Sequence, residues 1–140
     1  MSNITSEDII WAWLRQGWRY RIQHGNKRLK SHKKEYTDRI NHEMHLIADK
    51  GFIDYFLLMS EAVRWAKDQG IPVGPARGSA AASLVCYLLR ITEIDPLQFP
   101  LMMFERFIAP DREDIPDIDL DFDDERRHEV RQHLVDKYGV

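Results

Sequence analysis

Three aspartates alternate with apolar residues in the stretch Pro116-Asp117-Ile118-Asp119-Leu120-Asp121-Phe122. A strict period of two predicts a β-strand, with Asp117, Asp119 and Asp121 on one face and Ile118, Leu120 and Phe122 on the other. Residues i and i+2 of a strand lie about 6.5–7 Å apart, close enough for unshielded carboxylates to raise one another's pKa. A shared divalent cation removes that repulsion, and carboxylate pairs are what proteins offer to magnesium. The plain alternative is a half-buried strand with a polar outer face, but aspartate is depleted in strands, so the pattern favours metal chemistry.

A second group with chemical potential is Arg77-Gly78-Ser79, which follows the extended piece Ile71-Pro72-Val73-Gly74-Pro75-Ala76. The sequence predicts a turn there feeding an apolar helix from Ala80 to about Leu89. Unpaired backbone N–H groups, a hydroxyl and the positive end of a helix dipole favour a phosphate, and Arg77 adds a charged fork for its oxygens. No Gly-Lys-Ser/Thr follows at Walker A spacing. Taken alone, Gly78-Ser79 fits a plain loop and cap equally well.

The elements that must position these groups are mostly helical. Thr5 or Ser6 caps a first helix with Glu7 and Asp8 in its first turn and Ile10, Trp13 and Leu14 on one face. His24 to Ser31 reads as a basic loop. Tyr36, Ile40, Met44 and Ile47 repeat at helical spacing between Lys33 and Lys50, and Gly51 is the stop. On that helix His42 and His45 stand three apart without an evident third metal ligand. A further helix, capped by Asp54, runs to Asp68 on the pattern Phe56, Leu57, Val63 and Trp65 and stops at Gly70. Met102, Phe104 and Phe107 are expected in the core. Asp123 or Asp124 caps a last helix carrying Val130, Leu134 and Tyr138 at spacings of four.

With 140 residues, 44% hydrophobic and 31% charged, the chain has the size and composition of one globular domain. The net charge of −3 conceals a segregation. Arg15 to Arg39 holds nine Lys or Arg against two acids, a local +7, whereas Glu105 to Glu129 holds eleven acids against four Arg, a local −7. Such asymmetry suggests a basic face for a polyanion and an acidic pocket for cations, a solvated helix face being the plain alternative for the basic half. Its one cysteine, Cys86, excludes an intrachain disulfide and reads as core packing in a reducing compartment. No apolar run reaches the roughly 20 residues that span a bilayer, and the N-terminus lacks signal-peptide character. The expected location is cytoplasmic.

Three motifs in order, Val73-Gly74-Pro75-Ala76-Arg77-Gly78-Ser79-Ala80-Ala81-Ala82-Ser83-Leu84-Val85, Phe104-Glu105-Arg106-Phe107 and Pro116 to Phe122, closely resemble the palm domain of the bacterial replicative DNA polymerase III α subunits, the C-family polymerases. The resemblance runs from near Ile40 to the C-terminus. It implies an α+β fold: a partial polymerase β-like nucleotidyltransferase palm over residues 40–140, with a small sheet and packed helices, preceded by a helical, basic segment over residues 1–39. It also implies that Asp117 and Asp119 are the metal-binding catalytic pair, with Asp121 adjacent on the same face but outside the pair. Gly78 and Ser79 are implied to hold the incoming triphosphate, with Arg77 and Arg106 near its phosphates.

The implied reaction is DNA-directed, template-directed nucleotidyl transfer with two Mg2+ ions, one lowering the pKa of the primer 3′-hydroxyl and one clamping the triphosphate. Implied partners are primer-template DNA, deoxynucleoside triphosphates and a second polypeptide carrying the rest of the polymerase; no membrane is involved. The family's third catalytic aspartate lies beyond this segment, so the isolated chain is expected to be inactive. The chain departs from the family at Ala76, Ala80 and Ala82, where glycine is usual and where a Cβ could keep backbone from phosphate. The alternative from another class is a non-catalytic, palm-derived protein that binds DNA or a replisome partner through its basic helices.

Overall fold

In a computed structural model, residues 4–99, 103–111, 114–116, 118–122 and 125–138 are described, with the backbone alone for residues 75–78, 119, 121 and 138. The described elements are helices α1 (Ser6–Gln23), α2 (Arg28–Ser31), α3 (Lys33–Asp49), α4 (Ile53–Asp68), α5 (Leu84–Leu88) and α6 (Arg127–Tyr138), with strands β1 (Val73–Arg77) and β2 (Asp119–Phe122). Short 3-10 turns at Gly78–Ala82, Pro96–Gln98 and Phe104–Arg106 link them.

Helix α1 begins with a capping box, in which Thr5 accepts from the Asp8 amide and Asp8 accepts from the Thr5 amide. Two orphan donors are thereby satisfied. Helices α3 and α4 end at Gly51 and Gly70, both in the left-handed region with φ of 75° and 71°, where a Cβ would be strained. Two expectations are corrected. The segment expected as a basic loop contains the single-turn helix α2, held by Leu29, which is fully buried. Helix α4 starts from Phe52, with Asp54 inside its first turn instead of capping it.

The core is organised around α5, whose five residues are all buried. Helices α1, α3 and α4 surround it with Ile10 and Leu14, with Tyr36, Ile40, Met44 and Ile47, and with Phe56. Trp11, Trp13 and Trp18 pack against this cluster from its edge, and Phe104, Phe107 and Ile118 close it. The cluster is continuous across residues 39 and 40. Gly17 permits the closest approach: a Cβ there would lie 1.8 Å from the Leu88 carbonyl oxygen.

A second, smaller cluster of Ala62, Ala66, Ile71 and Val130 joins α4 to α6, with Val73, Phe122 and Leu134 packed on it. Strands β1 and β2 form a two-stranded antiparallel sheet. Such a ribbon is marginal in water without a packed face. It rests on both clusters, through Val73 and Phe122 on the smaller and Ile118 and Leu120 on the larger. The Met102, Asp123 and Asp124 expectations fall outside the described residues, as does the Tyr138 side chain.

Candidate functional site

The register of the ribbon brings the two chemically suggestive segments together. Val73 pairs with Phe122, Gly74 with Asp121 and Arg77 with Asp119, with an irregularity between Gly74 and Arg77. Three steps along β1 therefore match two along β2, so β1 carries one extra residue, a β-bulge at Pro75 and Ala76. Proline, which has no N–H to give a ladder, is tolerated at such a place, and bulges redirect a strand at its exit. Directly after the bulge come Arg77, Gly78 and Ser79, beside the start of β2.

The expected helix from Ala80 to Leu89 is broken in two. Gly78–Ala82 is a 3-10 turn, and α5 starts afresh at Leu84 with Ser83 as its cap, accepting from the Cys86 amide. The cause is Glu43 on α3, a fully buried carboxylate. Its Oε1 accepts from the Ser83 hydroxyl at 2.7 Å and the Val85 amide at 3.0 Å, and its Oε2 from the Leu84 amide at 2.8 Å and Arg39 Nε at 2.7 Å. These partners satisfy the free N–H groups that a helix start exposes. Burial pushes the Glu43 carboxyl above its ordinary pKa, against the pull of Arg39 and the hydrogen-bond donors. Gly78-Ser79 consequently has no long helix dipole behind it, and what fixes the turn is Glu43, with Arg39 donating to the Ala82 carbonyl at 2.5 Å.

Two further contacts gather the remaining pieces. His42 Nε2 lies 2.9 Å from Glu105 Oε1, and the Arg39 guanidinium sits 5.9 Å from the Phe104 ring centre. They dock the Phe104–Arg106 turn against the Gly78–Ala82 turn, which leaves Arg106 exposed beside it. The Tyr55 hydroxyl of α4 accepts from the Ile118 amide at 3.3 Å, tying the entry of β2 to the helical layer. His42 is thus taken up by Glu105, and among the described residues no three His, Cys, Asp or Glu side chains form a metal cluster. Asp117 lies outside the described residues, and Asp119 is described by its backbone only.

The alanine departures lose much of their weight in the structure. Ala80 and Ala82 are 0% and 4% exposed, so their methyl groups are buried in the core. The Ala76 side chain is not among those described. Sequence reading missed Glu43, Arg39 and Tyr55. Glu43 had a signal: it occupies the same helical stripe as Ile40, Met44 and Ile47, where an acid is out of place unless it has partners.

The ribbon thus sets Arg77 and the Gly-Ser turn beside the strand of alternating aspartates. Residues 10–140 match the family model for the bacterial DNA polymerase III alpha NTPase domain, and the chain belongs to that family. It is similar to DNA polymerase III subunit alpha of Saccharopolyspora erythraea, 56% identical over 105 residues, which are 75% of this chain and 9% of that protein. The same subunit of Staphylococcus epidermidis is 46% identical over 135 residues, 96% of this chain and 12% of that protein. That of Escherichia coli K12 is 50% identical over 105 residues, 75% of this chain and 9% of that protein. The chain therefore spans about a tenth of the length of these relatives.

Proposed function

We propose that this chain is the first part of a replicative polymerase palm and that, together with the polypeptide carrying the rest of the enzyme, it performs template-directed nucleotidyl transfer. The observation that carries this reading is the pairing of Arg77 with Asp119 across a bulge that leads straight into Gly78 and Ser79. The pairing brings a phosphate-holding turn and a carboxylate strand side by side, as moving a phosphoryl group between two oxygens requires. Ile118, Leu120 and Phe122 lie against the core, which accounts for the apolar half of the alternating stretch.

Asp117 and Asp119 supply hard oxygen donors at strand spacing, and they are the residues that would hold two magnesium ions. When bound, such ions supply charge stabilisation at the attacking and leaving oxygens. Arg77, Gly78 and Ser79 orient the triphosphate from the turn that Glu43 fixes, and Arg106 stands exposed on the adjoining turn. Primer-template DNA and deoxynucleoside triphosphates are the substrates, and the bacterial cytoplasm is the location. Among the described residues no helix is long and apolar enough to cross a membrane.

Calorimetric titration with manganese, a magnesium substitute of the same preference for oxygen, tests the site. Weak binding by the wild-type chain that is lost in Asp117→Asn with Asp119→Asn is the expected result. Identical binding by the double variant would overturn the assignment.

A further inference from the structure

Away from the ribbon, Arg64 and Arg90 lie within electrostatic reach of one another, and the Nε of each lacks a hydrogen-bond partner. The Ser60 hydroxyl of α4 donates to the Leu89 carbonyl at 2.8 Å, which holds the chain just after α5 against α4. Arg90 is the next residue, and Arg64 lies one turn further along α4, an axial step of about 6 Å. Arg64 Cζ sits 4.5 Å from the Trp13 ring centre and Arg90 Cζ 4.1 Å from that of Tyr20. Trp13 and Tyr20 are seven residues apart on α1 and so share one face of it. Helix α1 thereby offers an aromatic shelf on which both guanidinium groups lie.

Three features set this pair apart from ordinary surface arginines. The Nε atoms of Arg64 and Arg90 are buried and have no hydrogen-bond partner, an uncommon state for a buried donor. Neither side chain makes an ion pair among the described residues; of the two acids within a turn of Arg64 on α4, Glu61 is taken up by His133 and Lys137, and Asp68 acts on Arg64 through its charge without pairing. Arg90 also has φ of 65°, the one positive value outside glycine among the described residues. Glycine is the usual occupant of such a place after a helix, so an arginine there is held against a conformational cost. Burial and then the neighbouring Arg90 charge hold the Arg64 pKa below its ordinary value, outweighing the opposing charges of Glu61 and Asp68.

We propose that Arg64 and Arg90 form a binding site for a phosphate-class oxyanion. A carboxylate offers two oxygens and a single charge to the two guanidinium groups. A phosphate presents more oxygens and up to two charges, matching two forks at once. Both arginines are half-buried, so part of each side chain faces solvent and is open to a ligand. The same chemistry is presented by free phosphate and by the backbone of a nucleic acid.

The test follows the arginine Nε–H resonances of the full chain by NMR during titration with inorganic phosphate and, separately, with a short single-stranded oligodeoxynucleotide. Saturable shifts of both the Arg64 and Arg90 signals with one midpoint are expected, while Arg21, committed to backbone carbonyls and Glu93, stays still. Arg64→Gln should weaken the midpoint read at Arg90 by about tenfold or more, the loss expected for one charge-assisted fork. Arg64→Lys, which keeps charge and packing but removes the fork, should fall between the two and covers the case in which the glutamine variant does not fold. A tighter midpoint for the oligonucleotide assigns the site to a phosphodiester, and a tighter one for inorganic phosphate to a free phosphate. Absence of saturable shifts with both probes, or an Arg90 midpoint indifferent to Arg64→Gln, would overturn the proposal.

Discussion

Helix α5 and the β1–β2 ribbon are comparably short, yet they are held in opposite ways. All five residues of α5 are buried, and each of its ends is tied by a charged side chain from a neighbouring helix. Glu43 of α3 receives the amides of Leu84 and Val85 at the N-terminal end. At the other end Arg21 of α1, 6% exposed, donates to the Tyr87 carbonyl through Nε and Nη2, to the Thr92 carbonyl through Nη2 and to Glu93 through Nη1. The acid stands at the positive end of the helix and the base at the negative end, the arrangement its dipole favours. The ribbon, by contrast, has two strands and the single described tether from Tyr55, and it depends on clusters that belong to the helices. The segments that propose chemistry are thus the least self-sufficient, while the rigid part is a hub with no chemistry of its own.

The largest effect should come from breaking that hub at Glu43. Glu43→Ala leaves Arg39, two backbone amides and the Ser83 hydroxyl without their acceptor, and losing one partner of a buried pair costs about 3–5 kcal/mol. Chemical denaturation should show that loss, and any residual folded state should no longer hold the Gly78–Ala82 turn. A cost below 1 kcal/mol would mean that α5 is capped by water or by Ser83 alone. Next comes Gly17→Ala, where the added methyl meets the Leu88 carbonyl at 1.8 Å. A backbone oxygen cannot swing aside, so α1 must move away from α5, at an expected cost of about 2–3 kcal/mol. A neutral result in thermal unfolding would show that α1 slides freely over the hub, and would weaken the contrast drawn here.

The same contrast explains what sequence could and could not disclose. Local chemistry was readable: the Thr5 cap, the stops at Gly51 and Gly70, and the apolar stripes of α3 and α4 each depend on residues within a few positions of one another. The family was readable from three motifs, and the β2 strand from alternation and the extended piece that becomes β1 from its place before the Gly-Ser turn, but not their pairing. The broken helix after Ala80 was not, because the apolar run Ala80–Leu89 carries no breaker and its interruption is imposed by Glu43, some forty residues earlier. Ser83 inside that run was the available sign, since serine is a preferred helix cap. Arg21 gave a similar one, for it continues the stripe of Ile10, Leu14 and Gly17 into the core. Glu43 and Arg21 are both charges on an apolar face, informative only when their distant partners are known. The aspartates were easy to see, but their use depends on the register with β1, a relation no local pattern states.

The smallest expected effect concerns the edge of the structure, where α6 meets α4. Glu61 lies 2.8 Å from Lys137 Nζ and 3.3 Å from His133 Nε2, and the His133 ring stacks on Trp65 at 4.3 Å between centres. Burial alone would raise the Glu61 pKa, but the hydrogen bonds and charges of Lys137 and His133 outweigh it and hold the carboxyl below its ordinary value of 4.5. A carboxyl whose folded pKa is depressed binds fewer protons than in the unfolded chain, so its contribution is complete above the ordinary value and is lost as pH falls through the depressed one. A partly exposed pair of this kind is worth below about 1 kcal/mol, enough to loosen one helix but not the hub. Hydrogen exchange followed from about pH 6 to about pH 3, with intrinsic rates corrected for pH, should therefore show α6 losing protection before α5. Glu61→Gln, which cannot ionise, should remove the acid dependence of α6 while α5 behaves as before. Simultaneous loss of both helices, or an unchanged profile in Glu61→Gln, would show that the smaller cluster alone docks α6 and that the ribbon shares the stability of the hub.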